Sequence, residues 1–220
     1  MILLRRSGLK LAVVALAALL VVACASTVSR NDLAAEYYNL GNAYYELERY
    51  SESARYLARA HELDPTLVRA SYNLARAYVE LERYQDAIDL LDDLLIRDPE
   101  NALVMETQAY AYYRQGRVEE AAMRYDEAIA LSPTDVELLE NRAQIARLEE
   151  DYGRAAELLE RVIALAPKDT NVLRTAAETY ELAGREEAAT RLMRSYVAAE
   201  PRDSSGSVYL AELLDRKSVV

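Results

Sequence analysis

The pentapeptide Glu46-Leu47-Glu48-Arg49-Tyr50 returns unchanged as Glu80-Leu81-Glu82-Arg83-Tyr84, 34 residues further on. The same interval separates all five prolines of the chain, at 65, 99, 133, 167 and 201. Self-similarity at a fixed period of roughly 20–50 residues marks a chain built from stacked copies of one supersecondary unit. Aligning on the prolines gives units 34–67, 68–101, 102–135, 136–169 and 170–203. Other columns then fall into register. The eighth residue of each unit is small: Gly41, Ala75, Ala109, Ala143, Ala177. The eleventh reads Tyr44, Tyr78, Tyr112, Ala146, Tyr180. A second small column follows as Ser53, Ala87, Ala121, Ala155, Ala189, and a bulky one as Leu57, Leu91, Tyr125, Leu159, Met193.

Within a unit the apolar residues fall at helical spacing, as in Leu40, Tyr44 and Leu47. A polar break follows, then a second run such as Tyr56, Leu57, Ala60 and Leu63. Small residues in two columns let the paired helices approach closely while the tyrosines fill the gaps. Gly116 and Gly184 stand at the break, where a helix C-terminus favours glycine. Asp64-Pro65, Asp98-Pro99 and Ser132-Pro133 end one hairpin and turn the chain into the next. One hairpin cannot bury its own faces, so the core must come from stacking. The stretch from Ser204 to about Arg216 repeats the start of a unit and reads as an end helix, with a tail at 217–220. The expected fold class is all-α.

The period, the small–x–x–Tyr spacing, the Ala–x–x–x–bulky spacing and the closing proline together resemble the tetratricopeptide repeat. The resemblance implies a right-handed superhelical solenoid of five 34-residue helix-turn-helix units, residues 34–203, plus a C-terminal capping helix within 204–220. Two departures stand out. No unit has Trp at its fourth position, where Tyr37, Ser71, Met105, Leu139 and Leu173 stand. The fourth unit carries Arg142 and Ala146 where Leu and Tyr are usual in the family, and is the weakest copy.

Composition narrows the function. A formal net charge of −11 and a pI near 4.8 disfavour nucleic acid, which is bound by neutralising phosphates with Lys and Arg. One His and one Cys exclude a histidine-based metal cluster and an internal disulfide. Asp86, Asp89, Asp92 and Asp93 fall on one second helix without the loop that calcium requires, and read as a solvated face. Glu149-Glu150-Asp151 likewise reads as solvent-facing, and His61 has no nucleophile beside it in the pattern. There is no Gly-rich phosphate loop. The expectation is a protein that is not an enzyme and uses no cofactor, metal or small-molecule substrate.

Residues 1–23 differ from the rest. Arg5, Arg6 and Lys10 precede the unbroken apolar run from Leu11 to Ala23, which is short for a membrane span and suits a secretory signal. Val21-Val22-Ala23-Cys24 resembles the lipobox of bacterial lipoproteins, with Cys24 the residue to be acylated and 24–33 a lipidated tether. A short uncleaved anchor, or a plain signal with a coincidental cysteine, are the alternatives. Leu4-Arg5-Arg6-Ser7-Gly8 looks like a twin-arginine signal with Gly8 out of pattern, so either export route is open. Ala25 after the cysteine, by resemblance, favours the outer membrane over inner-membrane retention.

In tetratricopeptide arrays the first helices line a concave groove through the second, fifth, ninth and twelfth positions of each unit. The resemblance places Tyr38, Asn42, Tyr45, Arg69, Tyr72, Arg76, Tyr110 and Tyr113 there, with Arg114 adjacent. Tyr and Arg are enriched at binding hot spots because each combines large area with a polar handle. Tyrosine is also the only aromatic of the chain, with 17 Tyr and no Trp or Phe, so some rings must serve packing between hairpins. Tyr44, Tyr78, Tyr112 and Tyr180 are expected to do so. The last two units present Glu137, Glu140, Arg147, Arg174, Glu178 and Glu181, expected as a solvated face or as a steering field for a basic partner. Asn42 and Asn73 match two positions of the clamp that holds a chaperone's C-terminal carboxylate, but Tyr38, Leu103 and Thr107 replace its basic residues. The expected partner is a protein or peptide in the groove, with the membrane reached through the lipid. A holdase-like chaperone and an accessory subunit of an envelope machine, pilotin-like or serving outer-membrane assembly, are the rival readings.

Overall fold

The computed structural model describes residues 29–218, which form eleven helices and no strand. Residues 1–23, read as a signal, and Cys24, read as the lipidation site, lie outside the described residues. The first helices of the units are α1 (Arg30–Glu46), α3 (Val68–Glu80), α5 (Ala102–Arg114), α7 (Val136–Leu148) and α9 (Thr170–Leu182). The second helices are α2 (Tyr50–Leu63), α4 (Tyr84–Arg97), α6 (Val118–Leu131), α8 (Tyr152–Leu165) and α10 (Glu186–Ala199). The last helix, α11 (Ser204–Ser218), starts where a sixth unit would. Each helix packs on the next, and first helices also meet, α1 with α3 and α3 with α5. The result is the expected all-α solenoid. No helix among the described residues is long and apolar enough to cross a membrane.

One boundary differs from expectation. Residues 30–33, read as tether, belong to α1. The reason is a capping box: Asp32 N–H donates to Ser29 Oγ at 3.0 Å and Ser29 N–H to Asp32 Oδ2 at 3.3 Å, satisfying donors that a helix start leaves free. Asn101, Asp135 and Asp169 cap α5, α7 and α9 through their side chains. Each residue before a repeat proline leaves the helical region, as at Asp64 with φ −138° and ψ 90°, because a following proline disfavours helical backbone there.

The core follows the repeat columns. Ala75, Ala109, Ala143 and Ala177 are buried, as are Ser53, Ala87, Ala121, Ala155 and Ala189, with Leu57, Leu91, Tyr125, Leu159 and Met193 beside them. The first position of the eighth-residue column is the tightest: a Cβ on Gly41 would stand 2.6 Å from Leu57 Cγ. Tyr112 and Tyr180 are buried and Tyr44 and Tyr78 half-buried, as their packing role requires. In four of the five units an arginine at the start of the second helix covers its own unit's tyrosine. Arg49 lies 4.7 Å from the Tyr44 ring centre, Arg83 4.0 Å from Tyr78, Arg117 4.4 Å from Tyr112 and Arg185 5.8 Å from Tyr180. In the fourth unit both members change together, to Ala146 and Asp151, and Asp151 instead caps α8 by accepting from Arg154 N–H at 2.9 Å.

The fourth unit also buries Arg142, whose Nη1 donates to Glu149 Oε2 at 3.2 Å while Nε stands 3.2 Å from Asp126 Oδ2 of the preceding unit. Nε is out of line for a hydrogen bond, so that contact is an ion pair only. Two carboxylates expected in the solvent therefore work for the fold: Glu149 serves Arg142, and Asp92 accepts from buried Gln108 Nε2 at 2.7 Å.

Helix α11 closes the array. Leu213 enters the core. Asp203 accepts from Tyr196 Oη at 2.7 Å and from Ser205 Oγ at 2.7 Å and N–H at 2.9 Å, and these donors hold its carboxyl down at about 2. A carboxyl depressed in the fold favours the folded state above its unfolded value of about 3.9 and loses that effect as pH falls towards the folded value. Hydrogen exchange along 204–216 should accelerate, relative to intrinsic rates, on acidification from pH 5 to pH 2.5. Asp203→Asn should show the loosened helix already at pH 5; an unchanged pH response in that variant would refute the assignment.

The turns inside the hairpins need one residue in left-handed conformation. Gly116 (φ 83°) and Gly184 (φ 72°) supply it in two units, but Glu48, Glu82 and Glu150 adopt φ of 58°, 59° and 58° in the others. A side chain in this region is strained by roughly 1–2 kcal/mol, partly offset in glycine by its greater unfolded entropy. Glu82→Gly should therefore stabilise the chain by about 1 kcal/mol, read as a higher denaturant midpoint. Gly116→Ala should lower it.

Candidate functional site

The candidate site is the face built by α1, α3 and α5. All nine residues expected there are accessible: Arg69 and Tyr110 are exposed, and Tyr38, Asn42, Tyr45, Tyr72, Arg76, Tyr113 and Arg114 are half-buried. They form one connected surface. Arg69 stacks over the Tyr38 ring at 4.7 Å, and Arg76 lies 4.6 Å from the Tyr45 ring centre and 6.0 Å from that of Tyr72. Asn73 Nδ2 donates to Asn42 Oδ1 at 2.9 Å, so the two clamp-like asparagines bind each other. Tyr72 and Thr107 share a hydroxyl hydrogen bond of 3.0 Å. Arg114 Nη1 donates to Tyr110 Oη at 2.8 Å and its guanidinium lies 5.9 Å from the Tyr84 ring.

The rings divide their surface between packing and groove. Tyr38 and Tyr45 pack on a small core between the first two units, around Leu57 and Leu74, and Tyr72 and Tyr113 pack on the main core. Burial raises the Tyr45 hydroxyl above its ordinary value, opposed by the nearby Arg76 charge. At 37 %, Tyr110 is the most exposed of the set; its ring centre is 6.4 Å from that of Tyr113.

Among these residues lies a cavity of about 540 Å³, lined by Tyr72, Arg76, Leu103 and Tyr110 together with Glu106, Thr107, Tyr125, Glu137 and Asn141. Leu103 is 56 % exposed, an apolar side chain open at the rim. Glu106 is raised above the ordinary carboxylate range, first by burial and then by the Glu137 and Asp135 charges; Asn141 Nδ2, at 3.4 Å, is its weak partner. Burial of the Tyr125 hydroxyl, with Glu106 close by, raises it too. Glu140 is raised by burial and by Asp169 and Glu137.

Asn141 was not singled out from sequence, and Thr107 only as a clamp position that lacks its basic residue. Their signal is the sixth column, Asn39, Asn73, Thr107, Asn141 and Thr175, which is polar throughout. In three successive units its side chain reaches back to the fifth or ninth residue of the unit before.

The second half of the face departs from expectation. It is not a solvated row of charges. Arg174 pairs with Glu178 at 3.3 Å and with Asp203 at 3.4 Å, and Arg147 stands 3.8 Å from Glu178. Glu181 accepts from Tyr209 and from Arg216, both on α11. The last helix and the turn before it thus take up Glu181 and Arg174, while Glu137 remains exposed. Among the described residues no group of three or more His, Cys, Asp or Glu is arranged to hold a metal ion. His61 Nδ1 is occupied by Ser71 Oγ at 2.8 Å.

Solved structures show the same architecture. MamA from Desulfovibrio magneticus RS-1 superposes with a TM-score of 0.70 at 16 % identity, covering 79 % of this chain and 98 % of that one. PilF from Pseudomonas aeruginosa gives 0.69 at 21 %, covering 86 % and 87 %. YrrB, described as a tetratricopeptide protein with an unusual peptide-binding site, gives 0.64 at 19 %, covering 80 % and 90 %. At these identities the likeness is one of fold. No curated protein matches the sequence. Profiles described as tetratricopeptide repeat match residues 44–109 and 146–207, and a second of the same description 106–170. With hairpins of 34 residues in unbroken succession and these matches over most of its length, the chain belongs to the tetratricopeptide repeat family.

Proposed function

We propose that this protein is an exported, lipid-anchored scaffold of a bacterial envelope, whose groove on α1, α3 and α5 holds a segment of a partner protein. It works by binding and catalyses nothing. The observation that carries the reading is the interlocked Tyr–Arg surface itself. Its side chains hold one another in place, so little ordering entropy opposes association. Its composition is that of a binding hot spot, and Leu103 and Tyr110 stand open beside a cavity. YrrB, of the same fold, is described by its peptide-binding site.

The envelope location is proposed on the signal-like 1–23 segment and the lipobox resemblance at Cys24, with the outer membrane favoured by Ala25. The capping box at Ser29 leaves five residues, 25–29, between Cys24 and α1. Five extended residues span at most about 17 Å, so α1 would sit against the bilayer. The groove would open close to the membrane surface.

Photo-crosslinking in a bacterial host tests the binding face. A photoreactive residue at Tyr72 or Tyr110 should capture one discrete protein, and the same residue at Asp89 on the outer side should capture none. A smear of many adducts would indicate a holdase that shields unfolded clients, and a component of an envelope machine would indicate an accessory subunit. Adducts from Asp89 alone would place the binding face elsewhere. Metabolic labelling with an alkynyl fatty acid tests the anchor: the wild-type chain should take up label and float with membranes, and Cys24→Ser should do neither. Equal labelling of both would refute acylation at Cys24.

A further inference from the structure

Many arginines of this chain are committed to carboxylates. Arg49, Arg83, Arg117, Arg142, Arg147 and Arg174 each make an ion pair within 4.0 Å. The three in the first half of the groove, Arg69, Arg76 and Arg114, make none with the described residues, and each lies against a tyrosine ring instead. In a chain of net charge −11, these three place positive charge without a paired carboxylate on one face. Glu80, one turn beyond Arg76, acts electrostatically on Tyr45 and Tyr50 but does not pair with Arg76. The same face in the fourth and fifth units, by contrast, satisfies Arg147 and Arg174 internally.

A guanidinium lying over a ring keeps in-plane N–H groups for a carboxylate, which can take two parallel hydrogen bonds; Arg114 already spends Nη1 on Tyr110 Oη and has the rest of its fork to offer. The tyrosines also fix each fork in position. Beyond them the surface changes sign: burial and the Glu137 charge raise Glu106 and Glu140 above the ordinary carboxylate range. That arrangement repels a long polyanion and tolerates a short acidic run.

We infer that the groove recognises a short acidic peptide segment of its partner, with Asp or Glu side chains on Arg69, Arg76 and Arg114 and an apolar side chain on Leu103 and Tyr110. The inference rests on the groove being the binding face. Charge complementarity chooses the occupant: a basic segment would meet three uncompensated cations, and nucleic acid would meet the acidic rim.

The test is an array of random ten-residue peptides probed with the full-length chain in detergent. Bound peptides should be enriched in Asp and Glu with at least one large apolar residue, and binding should weaken as salt rises. For a selected peptide followed by fluorescence anisotropy, Arg76→Gln should weaken binding at least about tenfold, equivalent to 1.4 kcal/mol. Arg69→Gln, at an exposed position where folding is not at stake, should weaken it in the same direction, and Arg76→Glu should shift selection towards Lys and Arg. Arg194→Gln, on the outside of α10, should bind as wild type. Neutral or basic binders that are lost in Tyr110→Ala would overturn the acidic specificity and keep the groove. Binders indifferent to every groove substitution, or none at all, would overturn both.

Discussion

The distance between the two helices of a hairpin governs everything else in this molecule. It is set by small residues in the eighth and twentieth columns, which remain fully buried from one end of the array to the other. At Gly41 even a methyl group would collide with Leu57. Because the helices come this close, an eleventh-column tyrosine can lie under the arginine that opens the second helix, joining the two helices by ring and charge as well as by packing. The proline then fixes where the next hairpin departs. A repeat in sequence becomes a repeat in space only because each hairpin has the same thickness.

Between hairpins the chemistry is more varied and is matched in pairs. The seventh residue of one unit faces the twenty-fifth of the unit before. Leu74 packs with Ala58, Gln108 bonds Asp92, and Arg142 pairs with Asp126. A buried guanidinium without a counter-charge is very costly. Arg142 is therefore tolerated where Asp126 precedes it, and it would not be where Ala58 does. On the groove side the sixth column binds the fifth or ninth residue of the preceding unit. Stacking buries apolar surface without direction; these polar pairs add the direction, and they bring the first helices of neighbouring units into one face.

Most of the fold was legible because its signals are periodic: five prolines, two small columns and a tyrosine column, all with one interval. The expected groove residues were picked by position in the unit, and the structure leaves all nine accessible on the first helices. Less visible were features that depend on a neighbour in space. The arginine column at 49, 83, 117 and 185 is present in the sequence, but its meaning emerges only when the ring beneath it is seen. Asp92 and Glu149 look like solvated acids until Gln108 and Arg142 are found beside them. The charges of the fifth unit look open until α11, read correctly as a cap, proves to draw on them through Tyr209 and Arg216. Helix starts depend on capping atoms, which is why α1 extends four residues further than its period suggests.

The reliance on tyrosine follows from the demands of such an array. A ring at the seam between two units must be apolar enough to pack and polar enough to end in the groove. Phenylalanine meets only the first demand, while tyrosine meets both. Tyr125 shows one limit, fully buried with its hydroxyl raised by burial. Tyr110 shows the other, exposed with its hydroxyl held by Arg114. Tyr72 lies between them: its ring is against the core and its hydroxyl is on Thr107 of the next unit. A side chain fixed at both ends has little freedom left to lose when a partner arrives. The packing that stabilises the solenoid thereby also prepares its surface, and the two roles of tyrosine are one arrangement seen from opposite sides.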